Sequence, residues 1–368
     1  MNLARVAASA VVALGLGPVA PTPRAGKPPR PTSGPQLASA APLVASLTPI
    51  AGAPEDALVD AWFDDTVIAH DEPLLARTDV PRPRVLVWTD LAKPPHVLAE
   101  VDGLVGKVVV SPKHDRVALL VVTPLEGNAL GADNPGALLV VPLDGGSART
   151  LVAKSDDFNV GNFSRPVWSP DGAALAVDVE ARGGSRPRPT HARVYDATTG
   201  ELLARTPANK AGFGPAPKRW EGDTLVLRAW TESGGDRILR WRPGDRPPLP
   251  ARPDPTTLRS PDGRYTIAFH GATIEISGAG GRRRFVAKNE GDRAAVRWLR
   301  EDPTRTKWLG SDALLLDADA PMALDLATAK LRYLLPDGEL QFVTATADGQ
   351  RVIARDSKLG LLWGRTGP

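Results

Sequence analysis

The feature that most constrains this chain is a turn that keeps returning. Its plainest copy is Val167-Trp168-Ser169-Pro170-Asp171-Gly172, followed by the alternating run Ala173 to Val179, then Ala192 to Asp196, Thr199-Gly200 and Glu201 to Arg205. Asp-Gly supplies the positive φ that a two-residue hairpin turn needs, and a period-2 apolar run after it marks a half-buried strand. Ser260-Pro261-Asp262-Gly263 before Tyr265, Ile267 and Phe269 repeats the phrase, as does Ala347-Asp348-Gly349 before Val352 and Ile353. Ser111-Pro112-Lys113-His114-Asp115 is a copy that lacks the glycine. Trp62-Phe63-Asp64-Asp65, Trp220-Glu221-Gly222-Asp223 and Trp308-Leu309-Gly310-Ser311-Asp312 replace Ser-Pro with tryptophan and an acidic turn. Seven anchors result, near residues 64, 113, 171, 222, 262, 311 and 348, in six intervals that cover 284 residues. A repeat of about 47 residues suits a four-stranded propeller blade with loop insertions.

A lone four-stranded sheet exposes both faces, so such a repeat is stable only when each sheet packs on its neighbours around a closed ring. The chain is therefore predicted to be all-β, a single β-propeller of seven four-stranded blades. Six or eight blades also fit, because the third, fifth and seventh copies alone follow the phrase closely. After the last anchor, strands are predicted at 340–344, 350–355 and 359–363, one short of a blade. Leu43 to Leu47 is the candidate for the missing strand, which would lock the two ends of the ring together. With Gly at 35 and Pro at 37, many short elements are favoured over long helices. The absence of cysteine excludes disulfides, a thiolate nucleophile and Cys-ligated zinc.

The phrase Val167 to Gly172, with Val194-Tyr195-Asp196 and Thr199-Gly200 after it, resembles the repeats of TolB-like propellers, relatives in shape of the WD40-type rings. The resemblance spans roughly residues 55–368. It implies recognition of another molecule and carries over no particular partner. TolB-like rings can also cap a peptidase domain, for which residues 346–368 leave no room.

The chain opens with Arg5 and fifteen apolar or small residues from Val6 to Ala20. That is the length of a signal-peptide core and short of the ~20 residues a membrane span needs. Residues 1–20 are thus predicted to be a signal peptide and 21–42 a linker. The segment Pro18 to Pro42 holds eight prolines among 25 residues, too little apolar surface to offset its ordering entropy. Residues 43–368 are assigned to the ring. The net charge of +3 comes from a leader with Arg5, Arg24, Lys27 and Arg30 and no acid, so the ring is nearly neutral. Net charge thus implies no broad nucleic-acid-binding face.

Catalytic patterns are scarce. No serine sits in Gly-x-Ser-x-Gly and no Ser-x-x-Lys occurs. Gly278-Ala279-Gly280-Gly281 has neither the spacing nor the helix of a dinucleotide loop and reads as a hairpin. His70, His96, His114, His191 and His270 never fall in metal-ligand spacing and read as strand-end or loop residues. Asp157, Asn159, Gly161 and Asn162 open like a calcium loop with no closing glutamate, and Asp317 and Asp319 read as a solvated turn. Arg282, Arg283 and Arg284, like Arg182, Arg186 and Arg188, read as solvated hairpin tips. Trp62, Trp168, Trp220 and Trp308 recur at the anchors and point to packing between blades, whereas Trp230 and Trp241 are freer to be contact residues. One pattern points to binding. A cation precedes four anchors on the strand predicted to be innermost: Lys107, Arg165, Arg219 and Lys307. They share one parity, so their fields would add at a channel mouth and attract an acidic loop or a small anion.

These readings predict an exported, periplasmic or extracellular, monomeric propeller that binds a protein partner or an anionic ligand without catalysis. No cofactor or metal is called for. The rival is a propeller hydrolase or lyase whose metal or acid-base site is gathered from several blades.

Overall fold

The computed structural model describes residue 44 and residues 46–366 with breaks at 72–81, 124–135, 154–157, 161–164, 182–189, 208–214, 231–235, 245–247, 251–256, 289, 302–306, 318–320, 336–340 and 347. The expected signal peptide and linker, Leu43, Asp157, Gly161, Asn162, the Arg182 to Arg188 patch and Asp319 lie outside the described residues, as do the side chains of Asn159, Trp230 and Asp317.

Seven antiparallel sheets follow one another along the chain: blade 1 (57–100), blade 2 (104–152), blade 3 (158–205), blade 4 (216–250), blade 5 (257–286), blade 6 (308–333) and blade 7 (341–365). In blades 1 to 6 the strands pair in sequence order. The first strands of neighbouring blades touch, blade 1 with 2, blade 3 with 4 and blade 1 with 7, which places that edge of each sheet at the ring axis. In blade 3 the first strand is in two pieces, Phe158–Val160 and Val167–Trp168, both paired to Ala174–Ala181.

Every expected anchor falls in the turn between the first and second strands of a blade, and each turn contains one residue at positive φ. Five are Gly172, Gly222, Gly263, Gly310 and Gly349. In the two copies without glycine at this place, Asp64 (φ 48°) and His114 (φ 56°) adopt the left-handed conformation instead, which Asp and His tolerate better than most side chains. A hydroxyl clamps four of the turns. Ser111, Ser169, Ser260 and Thr346 each donate to an aspartate of their own turn, Asp115, Asp171, Asp262 and Asp348, at 2.5 to 2.7 Å.

The missing strand of blade 7 comes from the N-terminal side, as expected, but further along. Thr48–Pro49 pairs with Gly360–Arg365, Thr48 opposite Trp363, while Val44 makes an isolated bridge to Thr366. Arg351 at the start of the second strand of blade 7 completes the joint. Its guanidinium donates to Asp65 and to the Asp64 carbonyl, both at 2.7 Å, and lies over the Trp62 ring.

Apolar clusters join blades 1 and 2, 2 and 3, 3 and 4, 5 and 6, 6 and 7, and 7 and 1. At about 1.5–3 kcal/mol per fully buried aliphatic side chain, these seams hold the ring together. Trp168 and Trp220 fasten two of them, donating Nε1 to the Val109 carbonyl (2.9 Å) and the Val167 carbonyl (3.2 Å) of the preceding blade. The packing role expected of the anchor tryptophans follows from these bonds. Trp241, by contrast, is no contact residue: at 3% exposure it belongs to the cluster between blades 3 and 4.

One element departs from the repeat. Helix α1 (Glu290–Glu301) lies between blades 5 and 6, with Glu290 and Asp292 in its first turn favouring the positive end of its dipole. Ala295, Val296 and Leu299 bury its inner stripe in the cluster of those blades. Among the described residues no helix is long and apolar enough to cross a membrane.

Candidate functional site at the inner edge of the ring

The four cations picked out by position all lie on first-strand edges. Lys107 is exposed in Leu104–Val110 of blade 2, opposite Leu120. Arg219 is half-buried in Ala216–Glu221 of blade 4, opposite Val226. Arg165 is exposed just before Val167–Trp168, and Lys307 exposed just before Trp308–Leu309. Register sets them at different levels: Lys107 is four pairs above its turn, where the Ser111 amide meets the Arg116 carbonyl, and Arg219 two pairs above the closing pair Glu221 and Thr224. Their contacts differ in reach. Arg219 is bonded to Glu221 at 2.6 Å, and Lys307 Nζ donates to the Val343 carbonyl of blade 7 at 2.9 Å.

Lys107 has a neighbourhood that position alone did not reveal. The first strand of blade 1 carries a bulge between Val59 and Ala61, and the extra residue is Asp60. Its carboxylate is 2.7 Å from Nδ1 of His70 on the second strand, and both side chains are nearly buried. Burial pushes the Asp60 pKa up, opposed by the His70 hydrogen bond and by the charges of His70 and Lys107. His70 is next to last in the strand Thr66–Asp71, at the strand end as expected, and is also the buried partner of a carboxylate. Bulges also interrupt the first strands of blades 2, 4 and 7, at Gly106, Lys218 and Val343. Such bulges re-aim side chains, and those at Gly106 and Lys218 come just before Lys107 and Arg219, on the side away from the anchor turn.

The remaining histidines also sit close to expectation. His114 occupies its turn and stacks on Phe63 of blade 1 at 4.2 Å between ring centroids, His96 begins an outer strand, and His270 ends a strand in the open. His191 holds the Thr206 carbonyl at 2.8 Å. Among the described residues no group of three or more His, Asp or Glu is placed to hold a metal ion. Gly278 and Gly281 form the expected hairpin, but Arg282, Arg283 and Arg284 belong to the strand Gly281–Val286 that follows it and not to a hairpin tip. Between blades 3 and 4 the anchor-turn face holds an open hollow of about 680 Å³ lined by Trp220, Leu203, Pro170, Asp171, Asp223 and Arg242.

No protein-family model matches the sequence, and no curated protein matches it either. Solved structures do. An oligogalacturonate lyase of Vibrio parahaemolyticus is similar at 10% identity and TM-score 0.52, over 88% of this chain and 93% of that one. An acylaminoacyl peptidase of Pyrococcus horikoshii is similar at 12% identity and TM-score 0.47 over 81% of this chain, which spans about half the peptidase (49%). The β-propeller domain of the Trilobed protease of Pyrococcus furiosus matches at 12% identity and TM-score 0.40, covering 81% and 90% of the two chains. Seven four-stranded sheets in sequence, closed by an N-terminal strand and similar in fold to the oligogalacturonate lyase structure, are a β-propeller.

Proposed function

We propose that this chain is an exported, non-catalytic binding scaffold of TolB-like repeats, which takes a protein partner or an anionic ligand at its channel mouth. The observation that supports it is the placement of Lys107, Arg165, Arg219 and Lys307 on the inner edges of four blades, three of them exposed. Cations near an axial channel raise the local concentration of anions and speed their arrival. The test is capture from an envelope extract with the wild type and the double charge reversal R165E/R219E as baits. Partners held by the wild type and lost from the variant support the reading, whereas an unchanged set removes these cations from the site.

A second reading has one observation in its favour. Asp60 and His70 form a carboxylate–imidazole pair beside Lys107, the pairing that lets a histidine act as general base, and two of the similar structures are named as a lyase and a peptidase. Under this reading H70N abolishes turnover of an anionic or peptide substrate while leaving the fold intact; under the scaffold reading it leaves binding unchanged.

A further inference from the structure

Strand register sorts every residue of a blade onto one of two faces, and in blade 5 the faces differ in kind. Leu258, Ile267, Phe269, Ile274, Ile276 and Phe285 share the face that packs on blade 6 and α1. The opposite face, turned toward blade 4, has no buried residue at all. Its inner and middle strands present Thr257, Thr266, Thr273 and Ser277, and its charged members are Arg259, Glu275, Arg282 and Arg284.

The facing wall of blade 4 carries charge around one fully buried residue, Val226, and the half-buried Ile238. Leu225, Leu227 and Trp241 pack toward blade 3, so Arg219, Arg228 and Arg240, on the alternate positions, face blade 5. Arg219 and Arg240 share one carboxylate, Glu221, and on the blade 5 wall Arg282 lies 3.8 Å from Glu275. Among the described side chains six arginines meet two glutamates across this seam, Arg219, Arg228 and Arg240 having further partners besides, and no apolar cluster fills it. In a ring that is nearly neutral this is a concentrated positive slot.

We propose that this seam is a binding site for an extended acidic peptide segment of a partner protein. Gly281–Val286 is the outermost strand of blade 5 and, among the described residues, is paired on one side only. Its free edge offers backbone donors and acceptors to an added strand. Arg282 and Arg284 stand two residues apart on the same face, about 7 Å along the strand, the spacing of alternate side chains in an extended peptide. Glutamates at alternate positions of an added strand meet these two guanidiniums, with Arg240 on the opposite wall, and planar guanidinium forks favour carboxylates in bidentate geometry. The site is separate from the channel mouth except for Arg219, which belongs to both, so the test leaves Arg219 untouched.

The probe is a fluorescein-labelled peptide of alternating glutamate and threonine, ten residues long, titrated into the full chain and read by anisotropy. The expected result is saturable binding that weakens as salt rises, at least tenfold weaker in R284E and in R240E and several-fold weaker in R284Q and R240Q, which keep the seam polar if the reversals fail to fold. R297E, an exposed arginine of α1 away from the seam, keeps wild-type affinity. The inference is overturned by no binding, by an equal loss in R297E, or by tripolyphosphate binding more tightly than the peptide through the same arginines. None of these outcomes bears on the partners captured through Arg165.

Discussion

Two seams of the same ring are built from opposite materials. Between blades 2 and 3, Leu120, Val122 and Leu138 meet Trp168, Leu175 and Val177, nearly all sealed from solvent. Between blades 4 and 5, threonines and arginines face arginines. Both seams join four-stranded sheets with the same turns, so the repeat by itself does not require an apolar interface at every joint. Six apolar seams and the strand Thr48–Pro49 hold the ring, and among the described residues the seventh has no apolar cluster, Val226 being its one fully buried side chain.

The largest expected effect comes from damaging the apolar seam. Leu175→Ala removes a fully buried side chain from the cluster of blades 2 and 3 and costs about 2–5 kcal/mol in denaturant unfolding. Thr266→Ala on the polar face changes stability by less than about 0.5 kcal/mol. Equal losses at the two sites would erase the contrast. Gly349→Ala comes next. Its φ is +71°, and an added Cβ would lie 2.3 Å from the Gly310 amide nitrogen and 2.5 Å from the Leu309 carbonyl carbon, backbone that cannot swing aside. The blade 6 and 7 turns must part, at about 2–3 kcal/mol.

A smaller effect separates two anchor tryptophans. Trp168→Phe loses the bond to the Val109 carbonyl, about 1 kcal/mol beyond the change in ring size. Trp62 Nε1 is buried and finds no partner among the described residues, so Trp62→Phe in the seam of blades 7 and 1 relieves an unsatisfied donor and costs less than Trp168→Phe. The smallest effect is acid sensitivity at the blade 5 turn. The Arg264 amide, the Ser260 hydroxyl and the Arg264 guanidinium lower the Asp262 pKa to about 2. The folded value lies below the unfolded one, so the turn's contribution is complete above about pH 4 and fades as pH falls through about 2. Stability curves of the wild type and Asp262→Asn should differ above that window and converge below it.

Much of the ring is legible in the sequence because the left-handed turn residue is chemically conspicuous. Gly172, Gly263 and Gly349 announce themselves, and Asp64 and His114 are found by spacing once the others are fixed. Closure was legible as a missing strand, yet its register was not. Leu43 to Leu47 is the more apolar stretch, while Thr48 and Pro49 are the residues that pair with Trp363 and Leu362. Helix α1 was hidden because the turn grammar supplies no sign for a helix, though the four-residue spacing of Ala295 and Leu299 carries its apolar stripe. The inner-edge cations were found by counting back from the anchors, and the bulges at Asp60 and Gly106, which give Lys107 its neighbourhood, leave no mark in that count. The polar seam has its trace in the alternation of Thr266, Ala268 and His270 with Ile267 and Phe269. Knowing that this side faces blade 4 requires the pairings of all four strands.

The contrast between seams is tested most directly by native-state hydrogen exchange followed through low denaturant. The account predicts that amides of Asp236–Trp241 in blade 4 and Gly281–Val286 in blade 5 become exchangeable at lower denaturant than those of Arg116–Val122 and Ala174–Ala181, because the ring opens first where no apolar cluster spans it. Opening first at the strand Thr48–Pro49, or one transition shared by all seven blades, would contradict it.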